Sequence, residues 1–266
     1  MIGLALWLCL TTALPRAPEA EAPASPARMA CFRAAYPDVF CGASQDALVL
    51  CDGRRLTWDD GLGEKSYQAF LEHPDLEESV RMRYRPGPDF PTPPENFEPG
   101  RIRNEAFFRA LYGADRSAVE RDLVDVRWMP RRGGTSTVKV HRRVAAALQA
   151  VSDELEQALT PELAALAAKT AGAYTWRKVH GSQRTSMHSF GIAIDVGVSR
   201  SDYWDWHRPD KDGHYTWKNR FPWAIAAVFE RHGFVWGAKW YHFDTMHFEY
   251  RPELFAPPCV DDGRAP

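Results

Sequence analysis

From residue 123 onward, apolar positions follow regular periods. Val124, Val126 and Trp128 alternate as they would along a half-buried strand, and residues 130–136 read as a loop. Val144, Leu148, Val151, Leu155 and Leu159 recur at helical intervals, which predicts an amphipathic helix over 141–159. Thr160-Pro161-Glu162 then restarts a helix, with a capping residue followed by proline at the first helical position. Strands are expected over 173–177 and 191–197, then an aromatic, polar insertion over 201–220. A helix over 222–232 closed by Gly233 follows, and two short strands over 234–237 and 246–250. Helices and strands alternate without a steady β-α-β beat, which predicts an α+β domain with a mainly antiparallel central sheet flanked by helices.

Upstream the pattern is looser. A helix is expected near 65–71, while the Pro-rich stretch 84–99 cannot be regular. Ile102, Phe107, Phe108 and Leu111 have helical spacing and lead to Gly113, a C-cap residue. We divide the chain into an N-terminal elaboration over 28–120 with a Pro-rich loop, a main domain over 121–256 and a tail over 257–266. Asp59 and Asp60 read as solvated loop carboxylates. Residues 15–30, rich in Ala, Pro and Glu, read as a linker.

The first fourteen residues form an apolar run too short to span a bilayer but suited to the core of a signal peptide, and small residues follow it. Residues 1–27 are therefore expected to be a leader and the start of the linker, although no Lys or Arg precedes Arg16; the alternative is a buried N-terminal helix. The expected location is periplasmic or secreted, with no stable membrane insertion once the leader is removed.

Composition narrows the function classes. The 266 residues, 45% hydrophobic, suffice for one good core plus an elaboration. A net charge of −2 lacks the basic footprint of a nucleic-acid binder. Without the leader, Cys31, Cys41, Cys51 and Cys259 remain, an even number with three possible connectivities. In an oxidising compartment Cys259 is expected to pair with one of the early three and the other two with each other, stapling the tail to the N-terminal region. The sequence does not set the oligomeric state.

Two short segments, 186–195 and 244–249, carry the candidate chemistry: His188 and His247 with Asp195, Asp244 and Glu249. That is the kind of ligand set a catalytic zinc ion uses while keeping a position for water. By strand period, Ile192, Ile194 and Val196 share one face and Ala193, Asp195 and Gly197 the other. His188, seven residues before Asp195, must come from the preceding turn. Downstream, Thr245, His247 and Glu249 share a face, and Asp244 joins them only if the chain bends before Met246. Glu249 and His242 therefore compete with Asp244 for a role. His180, His207, His214 and His232 read as ordinary polar residues, Asp210-Lys211-Asp212-Gly213 as a turn, and the tryptophans as core or cleft wall.

The order Ser186-x-His188, Gly191-x-Ala193-x-Asp195 and Asp244-x-x-His247 resembles the zinc D-Ala-D-Ala carboxypeptidases and L-Ala-D-Glu peptidases of bacterial cell walls, whose fold is shared with the Hedgehog signalling domain. The resemblance runs from about 123 to 254 and is weaker at Pro99-Gly100-Arg101-Ile102-Arg103. It implies one Zn2+ bound by His188, Asp195 and His247, with Asp244 as general base. It also implies Arg177 as the substrate or transition-state arginine and Ser186 as a substrate-side hydrogen-bonding group. Arg184 is a further candidate for a substrate carboxylate through bidentate pairing. The implied function is a zinc peptidase acting on the stem peptides of peptidoglycan. The bond cleaved stays open between carboxypeptidase and endopeptidase, with a lean toward the L-Ala-D-Glu subgroup. The competing class is a non-catalytic zinc-binding module that recognises cell-wall peptides or a protein partner.

Overall fold

A computed structural model describes residues 25–133, 137–257 and 259–260. The expected leader, Cys9 included, lies outside them apart from residues 25–27. Helix α1 (Ser25–Ala35) opens the described chain, followed by a small antiparallel sheet of β1 (Phe40–Ala43), β2 (Ala47–Leu50) and β3 (Arg55–Thr57). Next come α2 (Tyr67–Glu72), α3 (Glu105–Tyr112) and α4 (Arg116–Arg121), then a hairpin of β4 (Leu123–Val126) and β5 (Val138–His141). Helices α5 (Arg142–Ala158) and α6 (Pro161–Ala167) lead into β6 (Thr170–Gly172) and β7 (Ala193–Val196). Helix α7 (Trp223–Arg231), β8 (Phe234–Trp236) and β9 (His247–Tyr250) complete the domain.

The central sheet has the order β6-β7-β9-β8, antiparallel throughout. Its core face receives Ile194, Val196, Phe234 and Phe248, all buried, against Phe229 of α7. Helix α5 packs on β4, β5 and α7 through the apolar stripe read from the sequence, with Val144, Leu148, Val151 and Leu155 at 1% exposure or less. The α+β architecture with an antiparallel sheet is as expected. Thr160 caps α6 by accepting from the Leu163 N–H, and Gly113 ends α3 at φ 132°.

Two local expectations are corrected. The strand expected over 173–177 is instead the short β6, and the chain leaves the sheet at Ala173. The backbone there is committed elsewhere: Tyr174 N–H donates to Lys139, Thr175 N–H to His188, and the Ala173 carbonyl accepts from the His188 ring. The linker expected over 15–30 gives way to α1 at Ser25, because Met29 and Phe32 are fully buried and Phe32 packs edge-on to Trp58 and Phe107. The N-terminal three-stranded sheet is an element the apolar pattern did not announce.

Cys31 pairs with Cys259 across 228 residues, and Cys41 with Cys51 across ten. The tail is thus stapled to α1, as expected. Among the described residues, no helix is long and apolar enough to cross a membrane.

Candidate metal centre

The centre forms where β7 and β9 meet. Their register sets Asp195 directly opposite His247. His188 lies in the 3-10 turn Met187–Phe190, which reverses at Gly191 (φ 66°). A Cβ on Gly191 would lie 2.7 Å from the His141 backbone nitrogen, whose N–H donates to the Gly191 carbonyl, so only glycine fits this crossing.

His188 Nδ1 hydrogen-bonds the Ala173 carbonyl at 2.6 Å, which fixes the ring and aims Nε2 at Asp195 Oδ2, 3.3 Å away. His247 Nδ1 lies 3.0 Å from Asp195 Oδ1. One ligand atom from each of the three residues falls within 4.8 Å of the others. His188 Nε2 is buried with no hydrogen-bond partner, so the cluster has an unused donor atom suited to a cation. Its charge also favours one. Burial opposes charge on His247, yet the Asp195 and Glu249 carboxylates outweigh it and raise the ring to about 9. Asp195 is likewise held well below the usual carboxylate range, against its burial, by the two imidazoles.

Asp244 reaches the same cleft because the chain does bend. Its N–H donates to the Gly237 carbonyl at 3.0 Å, and its own carbonyl accepts from the His247 N–H at 3.2 Å, closing a turn just before β9. Gly237 is required there, since a Cβ would lie 2.4 Å from the Asp244 carbonyl oxygen. Asp244 Oδ1 is buried and unpartnered, and burial together with the Asp195 charge pushes its carboxyl up to about 6.

Glu249 stands behind His247, outside the cleft. It is fully buried, 3.5 Å from His247 Nε2, and clasped by Arg103 (Nη2 at 2.6 Å, Nε at 3.1 Å) and by Arg251 at 3.3 Å. Against its burial, Arg103 and the other partners hold it well below the usual range. His242 lines the cleft, with Nδ1 hydrogen-bonded to the buried Glu98, which also accepts from Tyr67.

The cleft holds about 100 Å³ and is bordered by Arg177, Ser186 and Asp244 beside the cluster, with Tyr203, Trp204 and Trp240 as walls. Among the described residues, the Arg177 guanidinium has no hydrogen bond or ion pair. Arg184 does not line this cleft; it lies in an adjoining one, 3.5 Å from Glu72. His180, read as an ordinary polar residue, is at the rim. Sequence reasoning missed Arg101 and Arg103, which enter the cleft from the N-terminal elaboration and pack over the Trp240 ring at 5.9 and 5.5 Å. The available signal was the alternation Arg101-Ile102-Arg103, in which a buried apolar residue sends both neighbours the other way.

An antiparallel sheet that presents His-Asp-His at a cleft, with an unpaired carboxylate beside it, defines a candidate hydrolytic metal centre. Residues 180–250 match the family model described as D-alanyl-D-alanine carboxypeptidase, which bears out the family resemblance. This segment contains His188, Asp195, Asp244 and His247. Comparison with curated proteins and with solved structures gave no significant match.

Proposed function

We propose that the protein is a zinc peptidase that hydrolyses peptidoglycan stem peptides, with the ion held by His188, Asp195 and His247. The observation that carries this reading is the unpartnered, buried His188 Nε2 facing Asp195, with the unpartnered Asp244 Oδ1 in the same cleft. Bound zinc would polarise the scissile carbonyl and bring the pKa of water down toward about 7.

The protein's own residues supply the rest. Asp244 accepts a proton at Oδ1 from the attacking water and returns it to the leaving amine. Arg177, whose guanidinium has no partner among the described residues, donates to the carbonyl oxygen as negative charge develops there. The Ser186 hydroxyl orients the peptide. Glu249 stands behind the His247 ring, 3.5 Å from Nε2, and Arg103 and Arg251 hold Glu249. Trp204 and Trp240 shield the cleft from bulk water. A module that only bound its partner would have no use for an unpaired carboxylate beside the cluster. The two disulfides support export to an oxidising compartment.

The test is to incubate zinc-loaded protein with muropeptides, with and without chelator, and identify the products by mass spectrometry. We expect chelator-sensitive release of either terminal D-Ala or the L-Ala–D-Glu cleavage fragments. No product from any stem peptide would favour the non-catalytic module.

A further inference from the structure

We propose that the cleft beside the metal centre, formed by Arg184, Glu72 and Glu105, is a subsite for a substrate side chain ending in an ammonium and a carboxylate on one carbon. The proposal rests on the peptidase reading above and adds the substrate class it selects.

The adjoining cleft holds about 270 Å³ between the end of α2, the start of α3 and the turn that carries Arg184. A narrower space lies between it and the metal cleft, sharing Arg103 and Met187 with the metal cleft and Glu72, Glu105 and Arg184 with the adjoining one. The two clefts are thus neighbours that share walls.

Charge along these walls is mixed and incompletely paired. Arg101 is hydrogen-bonded to Glu98, and Arg103 to Glu249. Arg184 has no such partner: its guanidinium makes no hydrogen bond among the described residues, its nearest carboxylate oxygen is Glu72 Oε1 at 3.5 Å, and its Nε is buried and unsatisfied. Its side chain is only 15% exposed. A guanidinium withdrawn this far from water without a hydrogen-bonded anion calls for a carboxylate, which it can grip through two parallel N–H groups. Glu72 Oε1 also takes Gln68, and Glu105 Oε1 takes Arg109 and Thr185. The second oxygen of each carboxylate has no hydrogen bond among the described residues and can accept from an ammonium.

Arg184 offers two N–H groups to a carboxylate, and the second oxygens of Glu72 and Glu105 can accept from an ammonium, so a zwitterionic group is matched at both ends. Diaminopimelate, the third residue of many stem peptides, ends in such a group. Lysine at the same position supplies the ammonium alone and leaves Arg184 unpaired. Either bond considered above lies within two residues of this position, roughly 7 Å of extended chain, a span suited to neighbouring clefts.

The test compares the zinc-loaded wild type on two stem peptides that differ only at residue three, meso-diaminopimelate against L-lysine. A site that leaves a buried donor unpaired with the wrong substrate should discriminate by at least about tenfold in kcat/KM. Arg184→Gln and Arg184→Lys, checked for folding by circular dichroism, should bring that ratio below about threefold, Arg184→Lys because an ammonium cannot make the two-pronged contact. Equal cleavage of both peptides by the wild type, or an unchanged ratio in both variants, overturns the proposal. If neither peptide is cleaved, the peptidase reading fails, and the subsite is judged by binding of free meso-diaminopimelate. Amide shifts around Glu72, Glu105 and Arg184 that vanish in Arg184→Gln would sustain the site; no shifts would refute it.

Discussion

His188 is anchored on the Ala173 carbonyl through one ring nitrogen and faces Asp195 with the other. Nδ1 hydrogen-bonds that carbonyl at 2.6 Å, and Nε2 stands 3.3 Å from Asp195 Oδ2 with no hydrogen bond between them. A buried imidazole nitrogen and a carboxylate oxygen facing each other at that distance are placed to share a cation. We therefore expect dialysed protein to take up zinc and become more stable. At a hundredfold excess over Kd the gain is about 2.7 kcal/mol, or roughly 5–10 °C in Tm for a chain of this size. His188→Ala should lose both the metal and the shift, as read by elemental analysis and thermal melts. A melting point indifferent to zinc and chelator would rule the centre out.

Asp244 gives the pH dependence. Acting as a base it must be ionised, so kcat/KM should rise with pH along an acid limb at or below about 6, since a bound cation can only lower the carboxyl from its metal-free value. Asp244→Asn should lower kcat by about 10²–10⁴ while zinc stays bound. Stability moves in the opposite sense. A carboxyl raised on folding binds its proton more tightly in the native state, so its stabilising effect is complete below the unfolded value and is lost as pH rises through about 6. Metal-free Asp244→Asn should therefore exceed the wild type by about 3 kcal/mol at pH 8 and come close to it near pH 4. A wild-type advantage at pH 8 would mean that Asp244 is paired.

Glu249 and Arg103 make a separate prediction. Arg103→Ala leaves a fully buried carboxylate with one fewer cation and should cost about 3–5 kcal/mol in urea unfolding. Glu249→Gln should weaken zinc binding by about 10–100-fold through loss of support for His247. Loss of turnover at full zinc occupancy with unchanged affinity would instead make Glu249 the base.

Gly237→Ala tests the turn. The added methyl meets the Asp244 carbonyl, so the bend that delivers Asp244 must open. We expect kcat to fall by about 10²-fold, as for a displaced reacting group, with the zinc content kept. An active variant with wild-type kcat would show that the turn tolerates the shift.

Replacing Cys31 and Cys259 by serine removes the staple between α1 and the tail, with an expected loss of about 2–5 kcal/mol. Urea melts would measure it, and peptide mapping without reductant should recover Cys31–Cys259 and Cys41–Cys51.

Local chemistry was largely legible in the sequence. Helix α5, the Thr160 cap and the two central strands follow from period or capping within a short window, because those forces act between near neighbours, while the grouping of His188, Asp195 and His247 came from the motif order of the resemblance. The N-terminal sheet was not legible: β1 to β3 are three or four residues long and only partly alternate in burial. The exit of the chain at Ala173 was equally hidden, because a ring fifteen residues away claims that carbonyl.

The amino-acid sequence by itself thus determined which residues could meet a metal and that Asp244 would need a bend to join them. Only the tertiary structure decided that the bend exists, through a Gly237–Asp244 hydrogen bond. It also decided that Glu249 is spent on Arg103, that Arg101 and Arg103 complete the cleft from a region beyond the motif, and that Arg184 faces a neighbouring one. These outcomes depend on pairings between segments far apart in the chain, whose energies no local period encodes.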